Sequence, residues 1–210
     1  MTNFFQQFWS EILHTGWLEY IAVLSGLASV WFSRKESILT YPVGLINTTF
    51  YIYISIKEHL AGEASVNFYY TVMSLYGWYM WVKKDEKKEK ILHISFSNRR
   101  DWINQLLFFG VAFVLVFLAL VYLQKSFFPE AIPPGDAFAT ATAFTGMWLM
   151  ARKKVESWYW WIATNIASIP LYFVKGLALT SVYYLILLVF AFWGLAAWKA
   201  KAQTLSVQQS

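Results

Sequence analysis

Cysteine is absent from the 210-residue chain, which excludes disulfide bonds, thiolate metal sites and cysteine nucleophiles. Charge is also scarce. Asp, Glu, Lys and Arg make up 14% of the residues, whereas 58% are hydrophobic and 20% are aromatic. An ordinary soluble domain is about 25% charged. The basic stretch and small-residue cleavage site of a secretory signal peptide are missing as well. This composition predicts an integral membrane protein.

Long apolar runs account for most of the chain. Seven of them approach the roughly 17 to 25 residues that a helix needs to cross a bilayer. The mean hydropathy is only +0.43, because the scale counts Trp and Tyr as mildly polar. The runs cover residues 18–32, 38–56, 64–82, 103–123, 137–150, 158–174 and 179–198. We therefore predict an all-α fold with seven transmembrane helices.

Basic residues are distributed unevenly between the segments that join these runs. If the N-terminus lies outside, all of the 17 Lys and Arg fall inside except Lys57, Lys125 and Lys175. The positive-inside rule then predicts an outer N-terminus and a cytoplasmic C-terminus. These anchors account for the net charge of +5. Acidic residues dilute the basic run after Lys83, so we expect no nucleic-acid partner.

The chain divides into segments of different character. Residues 1–17 have the spacing of a short amphipathic helix that lies at the outer membrane interface. The remaining segments are a first group of three spans (18–82), a cytoplasmic connector (83–101), a linking helix (102–124), a proline-containing outer loop (125–136), a second group of three spans (137–199) and a cytoplasmic tail (200–210).

The two groups of three spans are related by a sequence repeat. Three pairs are 117 residues apart: Trp31 and Trp148, Gly77 and Gly194, Trp81 and Trp198. Asn47 and Asn165 are 118 apart, which implies a one-residue insertion between the frames. A single linking span lets both groups run in the same direction. The pattern predicts a 3+1+3 parallel repeat with a substrate site between the halves, near the middle of the membrane.

One helical face carries the polar groups from which a site could be built. In the helix predicted over 158–173 this face holds Trp158, Trp161, Asn165, Ser168, Ile169 and Tyr172. An unpaired amide in hydrocarbon costs several kcal/mol, so the stripe faces protein, water or a ligand. We interpret it as the lining of a substrate site. Asn47, Asn67 and Tyr172 are further candidates. An aromatic belt role for Trp158 and helix cross-linking by the amides remain alternatives.

The indoles of this stripe occur in one half only. At the spacing of 118 residues that relates Asn47 to Asn165, Thr40 corresponds to Trp158 and Val43 corresponds to Trp161. Such asymmetry suits an asymmetric molecule. Contact of a cation with the face of a desolvated Trp is worth about 2 kcal/mol, and the amide of Asn165 can bind a hydroxyl or another amide. The stripe therefore favours a flat, cationic or neutral cargo.

Groups for other chemistries are missing. The three histidines, His14, His59 and His93, are far apart, and no phosphate loop, nucleophile elbow or carboxylate pair is present. All 12 Asp and Glu lie at predicted span ends or in loops, whereas intramembrane acids usually mark ion coupling. We expect a passive carrier without cofactor or metal. A membrane-embedded enzyme using Glu63 or Asp136 and a structural or sensor protein are the alternatives.

The chain resembles the PnuC-type vitamin transporters from about residue 18 to 199. The resemblance rests on Trp158-x-x-Trp161-x-x-x-Asn165 and the Ile-Ala-Ser-Ile-Pro-Leu-Tyr-Phe-Val-Lys-Gly that follows. The Tyr-Gly-Trp-Tyr-Met-Trp stretch at 76–81 and the Arg-Lys-Lys at 152–154 are similar too. The family resemblance implies a fold like that of a full-length SWEET protein and transport by facilitated diffusion across the bacterial inner membrane. It also implies contacts from Trp158, Trp161 and Asn165 to the cargo, a homotrimer, and a cytoplasmic kinase that traps the imported cargo.

The resemblance leaves the substrate open among nicotinamide riboside, thiamine and riboflavin. We place nicotinamide riboside first. Two positions depart from the pattern of its carriers, because Asn67 stands where many have Gln and Met147 where several relatives have an amide. Nicotinamide riboside and thiamine both contain a cationic ring, so thiamine is the main rival.

Overall fold

The computed structural model describes residues 4–57, 61–84, 91–127 and 131–208, and these are almost entirely helical. The helices are α1 (Phe4–His14), α2 (Trp17–Arg34), α3 (Thr40–Lys57), α4 (Ala61–Val82), α5 (Arg99–Phe127), α6 (Pro133–Ala151), α7 (Ser157–Val174) and α8 (Ala178–Gln208). Each of the seven apolar runs falls on one of the helices α2 to α8. Helix α1 covers most of the predicted amphipathic segment.

Two boundaries differ from the sequence prediction. Helix α5 continues to Phe127 and takes in the first residues expected in the outer loop. Helix α8 continues to Gln208, so residues 200–208 of the predicted tail are helical. Ala202 explains this extension, because it is 3% exposed and packs into the core. His59, Pro129 and the charged residues 85–90 of the connector lie outside the described residues.

Helices adjacent in sequence pack against each other within two groups, α2–α3–α4 and α6–α7–α8, and α5 packs on α6. The groups meet where α2 contacts α8 and where α4 contacts α6. By length and composition, residues 99–122 of α5 and 178–207 of α8 are apolar enough to cross a membrane.

Helix α5 leaves a broad apolar surface uncovered. Leu107 is 65% exposed, Leu115 62% and Tyr122 82%. Monomeric soluble proteins rarely expose contiguous apolar patches of this kind. The surface is suited to hydrocarbon.

Two indoles connect the groups at the end of the molecule where α2, α4, α6 and α8 approach each other. Trp81 Nε1 donates to the carbonyl of Met150 at 3.3 Å, and Trp198 Nε1 donates to the carbonyl of Ser33 at 3.0 Å. The two donors are 117 residues apart, and so are the two acceptors. Each indole therefore donates to a carbonyl near the C-terminal end of a helix in the other group, where backbone carbonyls lack their usual intrahelical partners.

The described part of the connector closes over the same end. Ser95 N–H donates to Lys153 O at 3.2 Å, and Val155 N–H donates to Ser95 O at 3.1 Å. Ile94 is 2% exposed and inserts into the core. The connector is thus packed against the loop between α6 and α7 and is only partly solvated, in contrast to the solvated segment that the sequence predicts.

Candidate functional site

Trp158 lies in a tryptophan cluster formed by Tyr41, Trp81, Trp158 and Trp198. Its side chain is 1% exposed and meets Trp198 edge-on, with ring centroids 5.6 Å apart and planes at 89°. Its six-membered ring lies directly on Gly194. The contact of Trp158 with the cargo stays a prediction. Its indole is enclosed by α8 in this arrangement, as part of the core.

Tyr41 has the same surroundings in the first group. It meets Trp81 edge-on at 5.0 Å and 86° and lies directly on Gly77. Tyr41 is 117 residues before Trp158. The residue that corresponds to Trp158 is thus the aromatic Tyr41, and the expected correspondence with Thr40 is off by one residue.

Trp161 lies one turn further along α7 and is half-buried. A Cβ atom placed on Gly146 of α6 would be 3.2 to 3.3 Å from three atoms of the indole, so one face of the ring rests on the α6 backbone. The ring of Tyr70, from α4, is centred 6.3 Å away at 46°. Trp161 therefore sits where α7 meets α4 and α6, at the boundary between the groups.

Asn165 is the most notable polar residue of the stripe. It is 3% exposed, and Ser168, one turn on, is 1% exposed. The neighbouring Thr164 Oγ1 donates to Thr142 Oγ1 of α6 at 2.9 Å. This face of α7 therefore buries several polar side chains.

Asn47 has a different role. Its Nδ2 donates to Ala22 O at 2.7 Å and lies beside Gly26, so it cross-links α3 to α2. At the spacing of 117 residues between corresponding positions, the counterpart of Asn47 is Thr164. Its hydroxyl likewise makes a hydrogen bond to the preceding helix, α6. The packing therefore pairs Asn47 with Thr164 and shows no one-residue insertion between the repeats. A role of Asn47 in cargo binding stays a prediction.

The remaining two candidates, Asn67 and Tyr172, also contact neighbouring residues. Asn67 Nδ2 donates to Glu63 O, one turn back in the same helix, at 2.9 Å. Tyr172 stacks on Tyr184 of α8, with centroids 5.1 Å apart and planes at 13°, and it lies under Lys175 Nζ at 5.5 Å. Tyr172 therefore contacts the interior between α7 and α8.

Sequence reasoning missed three tyrosines, Tyr70 of α4 and Tyr183 and Tyr184 of α8. Tyr70 is the ring 6.3 Å from Trp161, and Tyr184 is the ring that stacks on Tyr172. Tyr183 and Tyr184 meet edge-on at 5.8 Å. Neighbouring Tyr183 and Tyr184 point to different sides of α8, so no helical stripe reveals them.

Charged groups collect at the opposite end from the tryptophan cluster. Lys175 Nζ donates to Asp136 Oδ1 at 2.7 Å, and the backbone N–H of Ile132 donates to Asp136 Oδ2 at 2.6 Å. Glu63 lies near both members of this ion pair. Within the described ranges no three His, Asp or Glu side chains are placed to hold a metal ion. The carboxylate of Asp136 is thus held by an ion pair with Lys175 and a backbone hydrogen bond from Ile132.

The family comparison covers nearly the whole chain. The model described as nicotinamide mononucleotide transporter matches residues 16–200. The nicotinamide riboside transporter PnuC of Escherichia coli (strain K12) is 25% identical over 202 residues, which cover 87% of this chain and 84% of that protein. The riboflavin/roseoflavin transporter RibM of Streptomyces davaonensis is 25% identical over 189 residues, covering 88% and 85%.

A solved structure shares the fold. The crystal structure of the vitamin B3 transporter PnuC matches with a TM-score of 0.73 at 22% identity, covering 96% of this chain and 88% of that one. These relatives are named as transporters, which confirms that the chain is a membrane protein and not an enzyme. From residue 16 to residue 200, this chain belongs to the nicotinamide mononucleotide transporter family.

Proposed function

We propose that this protein imports nicotinamide riboside by facilitated diffusion across the bacterial inner membrane. One observation carries the proposal. Asn165 is 3% exposed and lies one turn from the half-buried Trp161. A buried amide needs hydrogen-bonding partners, and a cargo hydroxyl or amide can supply them.

The cargo's chemistry fits the groups that line this region. The pyridinium ring of nicotinamide riboside is flat and cationic, and it can stack on Trp161 with the cation–π attraction expected for a desolvated indole. The Asn165 amide offers both a donor and an acceptor to ribose hydroxyls or the carboxamide of the cargo. Tyr70, whose ring centre is 6.3 Å from that of Trp161, supplies a further phenol beside it.

The proposed architecture is a 3+1+3 parallel repeat of seven spans, similar in principle to a full-length SWEET protein. The repeats are α2–α4 and α6–α8, and α5 is the linking span. Contacts at a constant spacing of 117 residues support this division, because Trp81 and Trp198 make equivalent hydrogen bonds across the groups. The cargo would bind between the repeats, as in transporters built from two like halves.

We place the N-terminus outside and the C-terminus in the cytoplasm, with α1 at the outer interface. The distribution of Lys and Arg supports this orientation. The tryptophan cluster is then at the cytoplasmic end, and the Asp136–Lys175 pair is at the outer end. We further propose a homotrimer and a cytoplasmic kinase that phosphorylates the imported cargo, both on family resemblance.

Riboflavin is a second candidate because the relative from Streptomyces davaonensis is named for it. Thiamine remains a rival because its thiazolium ring is also cationic. Calorimetric titration of the purified protein with all three compounds separates these possibilities. We expect tightest binding of nicotinamide riboside. Binding of riboflavin or thiamine alone would reassign the cargo, and binding of none would reject the proposed function.

A further inference from the structure

Gly146 determines how the Trp161 ring is seated. Three atoms of the indole, Cε2, Cδ2 and Nε1, lie 3.2 to 3.3 Å from the position that a Cβ on Gly146 would occupy. Nearly equal distances to three atoms around one ring bond mean that this position is above the ring plane. One face of the indole therefore packs on α6 so closely that a Cβ atom at residue 146 would have to displace it by a few tenths of an ångström.

In the first group of helices, the larger and the smaller side chain of this contact exchange places. In the 117-residue frame, Ser29 corresponds to Gly146, and Gly44 corresponds to Trp161. A Cβ on Gly44 would meet the Ser29 hydroxyl oxygen at 3.0 Å. The glycine of this contact is thus on α3 in the first group and on α6 in the second. The glycine of α6 is needed because Trp161 occupies the space in front of it.

Tyr70 of α4 is another neighbour of Trp161. Its ring is centred 6.3 Å from that of Trp161, with the two planes tilted by 46°, a separation at which aromatic rings are in contact. Trp161 therefore contacts both α6 and α4, and a Cβ atom at residue 146 would have to displace the indole by a few tenths of an ångström.

We propose that Gly146 is a specificity-determining residue, which seats Trp161 on α6 and thereby sets the position of the indole that the cargo contacts. This inference rests on the proposed function. The indole in this position accepts one flat, cationic heteroaromatic ring. Gly146 acts through the position of Trp161, so any side chain at residue 146 changes binding by moving the indole.

The test compares two Gly→Ala variants by calorimetric titration with nicotinamide riboside. Gly146→Ala adds a Cβ against the indole, whereas Gly110→Ala adds one on α5 where nothing lies within 4 Å. Both changes favour the helix equally. We expect the Kd of Gly110→Ala to stay within twofold of wild type and that of Gly146→Ala to rise at least tenfold. Equal Kd values in the two variants would overturn the inference and leave the proposed function intact.

A double variant tests whether the effect passes through the indole. Phe at residue 161 is smaller than Trp, so Gly146→Ala should change the Kd of Trp161→Phe by less than twofold. An equal loss in both backgrounds would overturn the role of Trp161. If Gly146→Ala alone does not fold, recovery of folded protein and of the Trp161→Phe affinity in the double variant supports the inference, and failure to recover contradicts it. Wild-type protein that binds no cargo would reject the proposed function itself.

Discussion

Glu36 and Lys153 are 117 residues apart and form an ion pair with each other. Both have the unusual backbone φ of 54°, a left-handed conformation that few non-glycine residues adopt. Each follows the first helix of its group. The two halves thus make the same strained turn and are joined there through opposite charges at corresponding positions.

The surroundings of this pair favour its charged form. Lys153 is 1% exposed at its side chain and Glu36 11%, and Lys153 Nζ lies 4.8 Å from the centre of the Trp81 ring. Lys201 from α8 donates a second hydrogen bond to Glu36. Burial by itself raises the pKa of Glu36, but the hydrogen bonds from Lys153 and Lys201 outweigh it and hold the pKa below its ordinary value.

Glu36→Gln should destabilise the protein strongly, because it leaves the ammonium of Lys153 buried without its carboxylate. Removing one partner of a buried pair costs about 3–5 kcal/mol. Thermal unfolding in detergent measures the change. Lys154→Gln is the matched control, because the Lys154–Asp101 pair is 19% and 21% exposed and its loss should cost about 1 kcal/mol or less. Equal losses in the two variants would contradict the buried role of Glu36.

The same pair predicts a loss of stability in acid. The pKa of Glu36 in the folded state lies below its ordinary value, so its contribution is complete above about pH 4.3, the unfolded-state value. That contribution is lost as the pH falls through the folded-state pKa. Unfolding temperatures measured between pH 7 and pH 3 should fall less steeply in Glu36→Gln than in wild type. Parallel curves would mean that other carboxylates account for the acid sensitivity.

The two tryptophans of the sequence motif should behave differently when replaced by alanine. Trp161→Ala should weaken nicotinamide riboside binding about 30-fold, corresponding to about 2 kcal/mol of cation–π attraction, with little change in unfolding temperature. Trp158→Ala should lower stability by about 3–5 kcal/mol, because it empties a closely packed core position. Calorimetric titration and thermal unfolding of both variants test this. Trp9→Ala, at a 62% exposed position, is the control for general loss of an indole.

Gly77 and Gly194 should tolerate no side chain. A Cβ at either position would overlap the ring of Tyr41 or Trp158, and such overpacking costs about 1–3 kcal/mol. Thermal unfolding of Gly77→Ala and Gly194→Ala should show similar losses, since the two contacts correspond. Gly110→Ala should be neutral or slightly stabilising. A large loss for only one of the pair would argue against equivalent packing.

Uptake should need neither a sodium gradient nor a proton gradient. Within the described helices α2 to α8, Glu19, Glu63, Asp101 and Asp136 each occur in a first helical turn, whereas ion-coupled carriers use acids near the middle of the membrane. Proteoliposomes with equal sodium and pH on both sides should take up labelled nicotinamide riboside until the concentrations are equal. Uptake that appears only with one of these gradients would contradict passive transport.

The positions of the helices could be predicted well because each depends on local properties of the chain. Apolar runs of membrane length set the seven long helices, and the amphipathic spacing before Gly16 predicted α1. Trp161 was identified because it is at helical spacing from Asn165 and Ser168. Helix ends were less accurate, since the extension of α8 depends on the packing of Ala202, which no local pattern shows.

The sequence by itself determined that this chain is a helical membrane protein with a polar stripe on α7 and a repeated pattern. Only the tertiary structure decided which side of α7 each group faces. Spacing assigns residues to a helical face within a turn, but it does not say which helix covers that face. For this reason Trp158 and Trp161 looked alike in the sequence, although α8 encloses one and α6 supports the other through Gly146. The register of the repeat was decided in the same way, because only side-chain contacts distinguish Tyr41 from Thr40 as the counterpart of Trp158.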